Sequence, residues 1–216
     1  KGPIALVTSY GFGETKTIVD QTTGENKNIT KPDVRARLTI LAGLEMLRKN
    51  KVENLVMLGG KVDPEKPALG EMMKDHATRI APNLAEKIIS NPVARGTRQE
   101  IEEFKKIADD NDTQEPIDIG SSPHTPRIAR TLKRVFGKNP PTLYDSKEIL
   151  TSLPTNRYQK LVEKLNNSED ERELQRQEKV FNVIDSIPFF GSVFFFILSN
   201  LKNKHKLQGK MFEKQK

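Results

Sequence analysis

Over the first 150 residues of the chain, short apolar runs alternate with segments in which apolar residues recur at helical spacing. Short apolar runs that end in small or polar residues recur at intervals, and such runs are typical of buried strands. Five of them predict strands: PIALVTS (3–9), NLVMLGG (54–60), AEKIISN (85–91), PIDIGSS (116–122) and PTLYDS (141–146).

The segments between these runs carry apolar residues at helical spacing. Four of them predict helices: 34–47 with a start at Thr30, Lys31 and Pro32, then EMMKDHATRIA (71–81), GTRQEIEEFKKIADD (96–110) and TPRIARTLKRVFG (125–137). The turn-rich TTGENKN (22–28) predicts a loop. Strands separated by helices predict a mostly parallel sheet covered on both faces. The fold class expected is therefore α/β, a Rossmann-like three-layer sandwich.

The pattern changes after residue 150, where helical sequence replaces the strands. We therefore expect an α/β domain at 1–150 and a helical C-terminal region at 151–216. Residues 155–167 and 168–187 predict two helices, and Ser168 with Glu171 fits a capping box at the start of the second.

Charge and composition limit the classes of function that this protein can have. The net charge is +7, but residues 201–216 hold six lysines against one glutamate, so the preceding chain is close to neutral. A nucleic-acid-binding body usually carries its basic face on the folded part, which disfavours that function here. The chain has no cysteine, which excludes disulfides and thiolate chemistry. No metal-ligand spacing stands out. No N-terminal targeting segment is visible, so a cytoplasmic location is expected, with membrane association left open.

Small and polar residues follow several predicted strands. In a parallel sheet these ends share one edge, where ligands bind. Gly11 and Gly13 follow the first strand, and Gly59 and Gly60 end the second. Glycines at these positions either let a ligand approach the backbone or serve turn chemistry, and spacing alone leaves both readings open.

The third helix begins in TRQE, where Thr97 and Glu100 fit a capping box. That structural role would explain both residues. A helix start also exposes N–H groups that suit an anion, so a ligand role for Thr97 and Glu100 remains the alternative.

The segment SSPHTPR (121–127) joins the fourth predicted strand to its helix. Pro126 suits the first helical turn, with Ser122 or Thr125 as the cap. Arg127 would oppose the helix dipole there, which favours a bound anion or a carboxylate partner such as Glu100 or Glu71.

His124 stands just outside that helix, where its ring could donate to a phosphate or carry a proton. Ser121 and Ser122 would line the same place. Arg37, in the helix after the first strand, could converge on it. His76 and His205 are expected to be solvated surface residues.

Together these segments resemble the DUF218 family, the group containing YdcF-, SanA- and ElyC-like bacterial proteins. The resemblance covers roughly residues 3–150. It rests on Arg37 ahead of LAGLEML, LVMLGG, Glu71, GTRQE and the H-x-x-R of SSPHTPR. This sequence departs from the family at Gly96, where asparagine is frequent, and at Gln99 and Glu100, where glutamate and asparagine are usual.

The resemblance implies a Rossmann-like fold with a polar cleft. One branch of the family is linked to S-adenosylmethionine, and others to envelope and lipid-carrier metabolism. We therefore expect a small anionic ligand, phosphate-containing or nucleotide-like, bound by His124 and Arg127. If turnover occurs, we expect phosphoryl or pyrophosphoryl hydrolysis or transfer, with His124, Glu71 or Glu100 as acid or base.

A phenylalanine-rich segment raises a second hypothesis. Residues 186–201 carry no charge, and six of the ten phenylalanines lie in 181–196. The segment could pack on the domain or on a second copy of the chain, and it could also contact a membrane surface ahead of the basic tail at 202–216. A single membrane span fits least, because about 20 apolar residues are needed. The alternative function is a non-catalytic membrane-peripheral or scaffold protein.

Overall fold

A computed structural model describes residues 2–8, 11–19, 24, 26–94, 96–155 and 157–186. It has seven strands: β1 (Ile4–Val7), β2 (Phe12–Val19), β3 (Asn26–Pro32), β4 (Asn54–Leu58), β5 (Ile88–Asn91), β6 (Ile117–Gly120) and β7 (Thr142–Asp145). The helices are α1 (Val34–Arg48), α2 (Leu69–Ile80), α3 (Thr97–Asp110), α4 (Thr125–Phe136), α5 (Ser146–Thr151), α6 (Gln159–Asn166) and α7 (Glu169–Ser186). The chain forms two compact units, Lys1–Glu171 and Arg172–Lys216.

Five strands form one parallel sheet in the order β5-β4-β1-β6-β7. β1 is central, and Ala5, Leu6 and Val7 are fully buried because helices cover both faces of the sheet. The fold is the predicted α/β Rossmann-like three-layer sandwich. All five predicted strands are present, although residues 85–87 of AEKIISN belong to a 3-10 helix, Pro82–Lys87.

Two hydrophobic clusters fill the layers. On one face, Val7 and Met57 pack with the helices α1, α2, α5 and α6. On the other face, Leu6 and Val56 pack with α3 and α4, where the fully buried Phe104 stands 6.2 Å from Phe136 between ring centroids. The two inner strands β1 and β4 therefore contribute alternate residues to both layers, as a two-sided sheet requires.

An antiparallel hairpin of β2 and β3 is inserted between β1 and α1. The prediction of a loop at 22–28 was wrong for residues 26–28, which begin β3. The predicted helix start at 30–32 was also wrong, because these residues end β3. The helix begins after Asp33, whose carboxylate accepts from the N–H of Ala36 at 2.7 Å.

The helical sequence after residue 150 does not separate from the α/β body at that point. Tyr158, Val162 and Leu165 lie in the same buried cluster as Val7, so α6 belongs to the unit that ends at Glu171. The helix α5, which the sequence did not predict, lies beside α1 in this cluster and contributes Leu150.

Glu171 anchors the end of this unit. Its side chain is fully buried and accepts from Arg35 Nε at 3.0 Å and from Lys147 Nζ at 2.5 Å. The Glu171 N–H donates to Ser168 Oγ at 3.2 Å, which confirms one half of the predicted capping box. The Glu171 carboxylate holds two cations instead of returning to the backbone of Ser168.

The phenylalanine-rich segment lies outside the described residues from 187 onward. Among the helices that the structure does describe, none combines the length and the apolar character needed to cross a bilayer.

The chain is tightly packed in the turn after β4, and a glycine substitution there can test this packing. Gly59 has φ 148°, and a Cβ on Gly60 would stand 2.7 Å from the carbonyl oxygens of both Pro92 and Ala94. Because backbone atoms cannot rotate away, Gly60→Ala should lower the free energy of unfolding by roughly 1–3 kcal/mol in urea denaturation. The matched control is Gly96→Ser, where the new Cβ meets nothing within 4 Å. Equal stability of the two variants would contradict this account of the turn.

Candidate functional site

The sheet has a switch point between its neighbours β1 and β6. The chain continues from β1 to α1 on one face and from β6 to α4 on the other. In open parallel sheets the crevice beyond the carboxyl ends of two such strands is where ligands bind. We call the residues at this edge the rim: Thr8 after β1, Asp33 before α1, Ser121 after β6, and His124 and Arg127 at the start of α4.

The segment from β6 to α4 is held by its own backbone and by β7. The His124 N–H donates to the Ser121 carbonyl at 3.1 Å, and the Ser122 N–H donates to Asp145 Oδ2 at 2.9 Å. Asp145 Oδ1 also accepts from the Lys147 N–H at 2.8 Å. Ser121 is fully buried. Asp145 thus fixes this segment against the end of the neighbouring strand.

His124 is the residue that precedes α4, and its side chain makes no capping bond. The expectation that Ser122 or Thr125 caps this helix was therefore wrong. Arg127 Nη2 lies 3.0 Å from His124 Nδ1. Because a guanidinium can only donate, Nδ1 must accept, which assigns the ring proton to Nε2. The ring is thereby oriented as an N–H donor through Nε2.

Asp33 brings the α1 side of the switch point to the same rim. Burial raises the pKa of Asp33, while the hydrogen bond from Ala36 and the charges of Arg35 and His124 oppose that rise. His124 therefore acts electrostatically on Asp33 from the other side of the switch point. The sequence had not suggested Asp33 as a neighbour of His124.

A buried acid lies one layer beneath the rim. Thr8 Oγ1 donates to Asp118 Oδ1 at 2.8 Å, and Asp118 is fully buried. Its Oδ2 has no hydrogen-bond partner among the described residues. Burial raises the pKa of Asp118 to about 7, against the smaller effect of the Thr8 hydrogen bond. This carboxyl group can exchange a proton near neutral pH.

The glycines predicted at the rim have structural explanations. The Gly59 N–H donates to the Asn91 carbonyl at 3.3 Å and the Gly60 N–H donates to the Ala94 carbonyl, so both serve the turn after β4. Gly13 lies in β2, where a Cβ would stand 2.8 Å from the Pro32 carbonyl oxygen. Gly11 accepts from the Asp33 N–H at 3.1 Å and closes the base of the hairpin.

The carboxylates proposed from the sequence as acid or base lie in different environments. Glu71 is exposed in the first turn of α2, whereas Glu100 is 3% exposed in the first turn of α3. The residue before α3 is Gly96, no side chain caps this helix, and Thr97 is its first residue. The capping box predicted for Thr97 and Glu100 is therefore wrong. No described contact joins Glu71 to His124 or Arg127.

The Arg37 N–H donates to the carbonyl of the rim residue Asp33 at 3.0 Å, one turn earlier on α1, and the Arg37 charge acts on His76. The pKa of His76 is lowered to about 4 by burial first and then by the charges of Arg79, Arg37 and Lys31. The expectation that His76 is a solvated surface residue was wrong, since its side chain is partly buried. His205 lies outside the described residues.

Sequence reasoning missed Asp33 and Asp118. A usable signal existed for Asp118, because it is the one charged residue in the buried strand IDIG, where every neighbour is apolar or small. Asp33 gave a weaker signal, since the expected helix start lay two residues too early. Within the described part of the chain, no group of three or more histidine and carboxylate side chains is arranged to hold a metal ion.

Two shallow grooves lie on another surface, between the second half of α1 and the chain from α5 to α6. Both are lined by Glu45, Lys49 and Leu153. Tyr158 donates to Glu45 Oε1 at 3.0 Å at this place, and Arg157 stands 5.3 Å from the centre of the Tyr158 ring. None of the rim residues lines these grooves.

Fold and rim together define a Rossmann-like α/β protein whose ionisable side chains gather at the switch point. Comparisons of the chain with protein-family models, with curated proteins and with solved structures returned no match.

Asp118→Asn tests the buried acid through stability. In the folded chain the pKa is raised from 3.8 to about 7. The contribution of Asp118 to stability is therefore complete below pH 3.8 and is lost as the pH rises through 7, by on the order of 1.4 kcal/mol per pH unit at most. Asp118→Asn should remove this loss, which urea denaturation from pH 4 to pH 8 would measure.

The control for this titration is Asp109→Asn, which removes a carboxylate that pairs with Lys105 on the surface of α3. It should leave the pH dependence of unfolding intact. Parallel stability curves for the unaltered chain and Asp118→Asn would show that Asp118 is ionised in the folded protein.

Proposed function

We propose that this protein binds a small molecule carrying a phosphate or another anionic group at the rim. His124 and Arg127 would hold the anion. The observation that carries this proposal is the hydrogen bond from Arg127 to His124 Nδ1, 3.0 Å long. It orients a ring N–H donor beside a permanent cation at the switch point of a parallel sheet, where such ligands bind.

The position of the pair at the start of α4 supports an anion. This helix runs for 12 residues from Thr125, and its first turn holds no acidic side chain. The positive end of the helix dipole therefore faces no acidic side chain of its own turn, and it favours an anion at this place. The N–H groups of Arg127 and Ile128 already donate to the His124 carbonyl, so the His124 ring and the Arg127 guanidinium would supply the contacts.

His124 and Asp33 are the rim residues that would transfer a proton. His124 acts electrostatically on Asp33 across the switch point, and burial raises the pKa of Asp33. Such a pair can carry a proton to or from a bound phosphoryl group. Asp33 therefore replaces Glu71 and Glu100 as our preferred partner for His124. If the protein is an enzyme, we propose phosphoryl or pyrophosphoryl hydrolysis or transfer.

The resemblance to the DUF218 family narrows the ligands worth testing. It suggests S-adenosylmethionine, nucleotide-like molecules and phosphate-containing precursors of the cell envelope. All of them bring an anionic group, a carboxylate or a phosphate, that an imidazole N–H and a guanidinium can bind.

Isothermal titration with inorganic pyrophosphate, ADP and S-adenosylmethionine would test the proposal. We expect at least one of them to bind the unaltered chain. His124→Ala and Arg127→Ala should each weaken that binding by roughly tenfold or more, since hydrogen bonds to charged groups contribute about 1.5–3 kcal/mol. Thermal unfolding of each variant should stay close to that of the unaltered chain.

The matched control is Lys133→Ala, which removes an exposed cation from the same helix. It should not change the affinity. If neither rim variant differs from Lys133→Ala in ligand affinity, the proposed site is wrong.

A membrane-peripheral function is the second candidate, favoured by the uncharged residues 186–201 next to six lysines. Phe-rich apolar sequence followed by cations suits an anionic lipid surface. Co-sedimentation with phosphatidylglycerol vesicles should therefore fall strongly when Phe194, Phe195 and Phe196 are replaced together by serine. Equal sedimentation of both proteins would argue for packing within the chain or between copies.

A further inference from the structure

A second group of basic side chains lies where β3, α1 and α2 pack against one another. Lys31 comes from β3, Arg37 from α1, and His76 and Arg79 from α2. We call these four residues the basic cluster. His76 and Arg79 are three residues apart and therefore share one face of α2. Lys31 and Arg37 lie close enough for their charges to act on the His76 ring.

The basic cluster has no acidic counterpart in the described part of the chain. The charges that act on His76 come from Arg79, Arg37 and Lys31, and no carboxylate is among them. No ion pair is formed there by Lys31, Arg37 or Arg79 with a described residue. By contrast, Arg35, Arg48 and Arg98 of this unit each pair with a glutamate, Arg35 with Glu171 at 3.0 Å.

Arg37 gives the clearest indication that a hydrogen-bond acceptor is missing from the basic cluster. Its Nε is buried, and this nitrogen has no hydrogen-bond partner within the described residues. Buried N–H groups in proteins are nearly always hydrogen-bonded, and a buried guanidinium normally meets a carboxylate or a phosphate. An oxyanion beside Arg37 would satisfy this donor and offset the repulsion among the cations.

We propose that the basic cluster is a second anion-binding site, which takes a phosphoryl or sulfate-like dianion of a small soluble molecule. Arg37 binds the oxyanion through its guanidinium, Lys31 and Arg79 add positive charge, and His76 becomes protonated as the anion enters. The site differs from the rim in the elements that form it, because Lys31 lies on β3 and His76 and Arg79 lie on α2, and neither element contributes a rim residue. Arg37 is the member nearest the rim, since its N–H donates to the Asp33 carbonyl.

The chemistry of His76 gives this site a pH dependence. The ring is neutral near pH 7 because its pKa is lowered to about 4. A dianion next to the ring favours the charged form, so binding raises this pKa and takes up a proton. Affinity for the anion must then increase as the pH falls from 7 towards 4, while the charged neighbours Arg79, Arg37 and Lys31 keep their charge.

Inorganic sulfate is the appropriate probe, since it stays dianionic across this range. We would follow the three histidine rings of the full chain by NMR during sulfate titrations at pH 5 and pH 7, with each signal assigned from its His→Gln variant. Sulfate should shift the His76 signals. Binding should be about tenfold tighter at pH 5 than at pH 7 if sulfate restores the pKa of His76 to about 6.

Three substitutions locate the binding. Arg37→Gln should weaken sulfate binding at the basic cluster by tenfold or more at both pH values. His76→Gln should retain binding at pH 7 and lose most of the pH dependence. Arg48→Gln removes a cation from the last turn of the same helix, where it pairs with Glu45, and serves as the charge control. It should bind sulfate like the unaltered chain.

The outcomes separate this site from the rim. Sulfate shifts at His124 without shifts at His76 would overturn the second site and leave the proposed rim function standing. Shifts at His76 that survive in Arg37→Gln would also overturn it. Shifts at His76 that appear with phosphatidylglycerol vesicles but not with sulfate would place the anion on a lipid and contradict the soluble ligand. If Arg37→Gln fails to fold, His76→Gln still tests the proposal, because sulfate binding that keeps its full pH dependence in this variant would contradict it.

Discussion

The position of β1 is the constraint on which the rest of the structure depends. This strand is fully buried at Ala5, Leu6 and Val7, and it hydrogen-bonds to β4 on one side and β6 on the other. The chain reaches those two neighbours through helices on opposite faces of the sheet. The crevice beyond the end of β1 follows from this topology, and so does the position of Asp33 and His124 on its two sides. The rim residues are thus placed by the strands and helices that carry them.

Two ionisable groups in this unit, Asp118 and His76, lie in environments that disfavour their charged forms. Asp118 is buried with its pKa raised to about 7, and the pKa of His76 is lowered to about 4. Glu171 of the same unit differs from them, because it is fully buried but pairs with both Arg35 and Lys147. Burying an uncompensated polar group costs free energy. Such groups are more frequent at sites that bind or react, which is why we single out the rim and the basic cluster.

The sequence predicted the class of fold and all five parallel strands, because buried runs between helical segments leave few other arrangements. It could not predict the β2–β3 hairpin, whose strands are short of apolar residues and pair only with each other. It singled out His124 and Arg127 from their place at a strand-to-helix junction, and their role as ligand-binding residues stays a prediction. It did not find Asp33 or Asp118, because their environment arises from burial and from neighbours far along the chain. The expectation that Arg37 converges on the same place also stays a prediction, since its N–H donates to the Asp33 carbonyl while its charge acts on His76.

The two ends of the hairpin meet at one point of the fold. The Asp33 N–H donates to the Gly11 carbonyl at 3.1 Å, so the insertion leaves and re-enters the fold at adjacent points. β3 also packs against α1 and α2, so the insertion is held along its second strand as well as at its base. A change of length between β2 and β3, by evolution or by an engineer, could therefore leave the start of α1 in place, whereas substitutions in β3 would reach both helices.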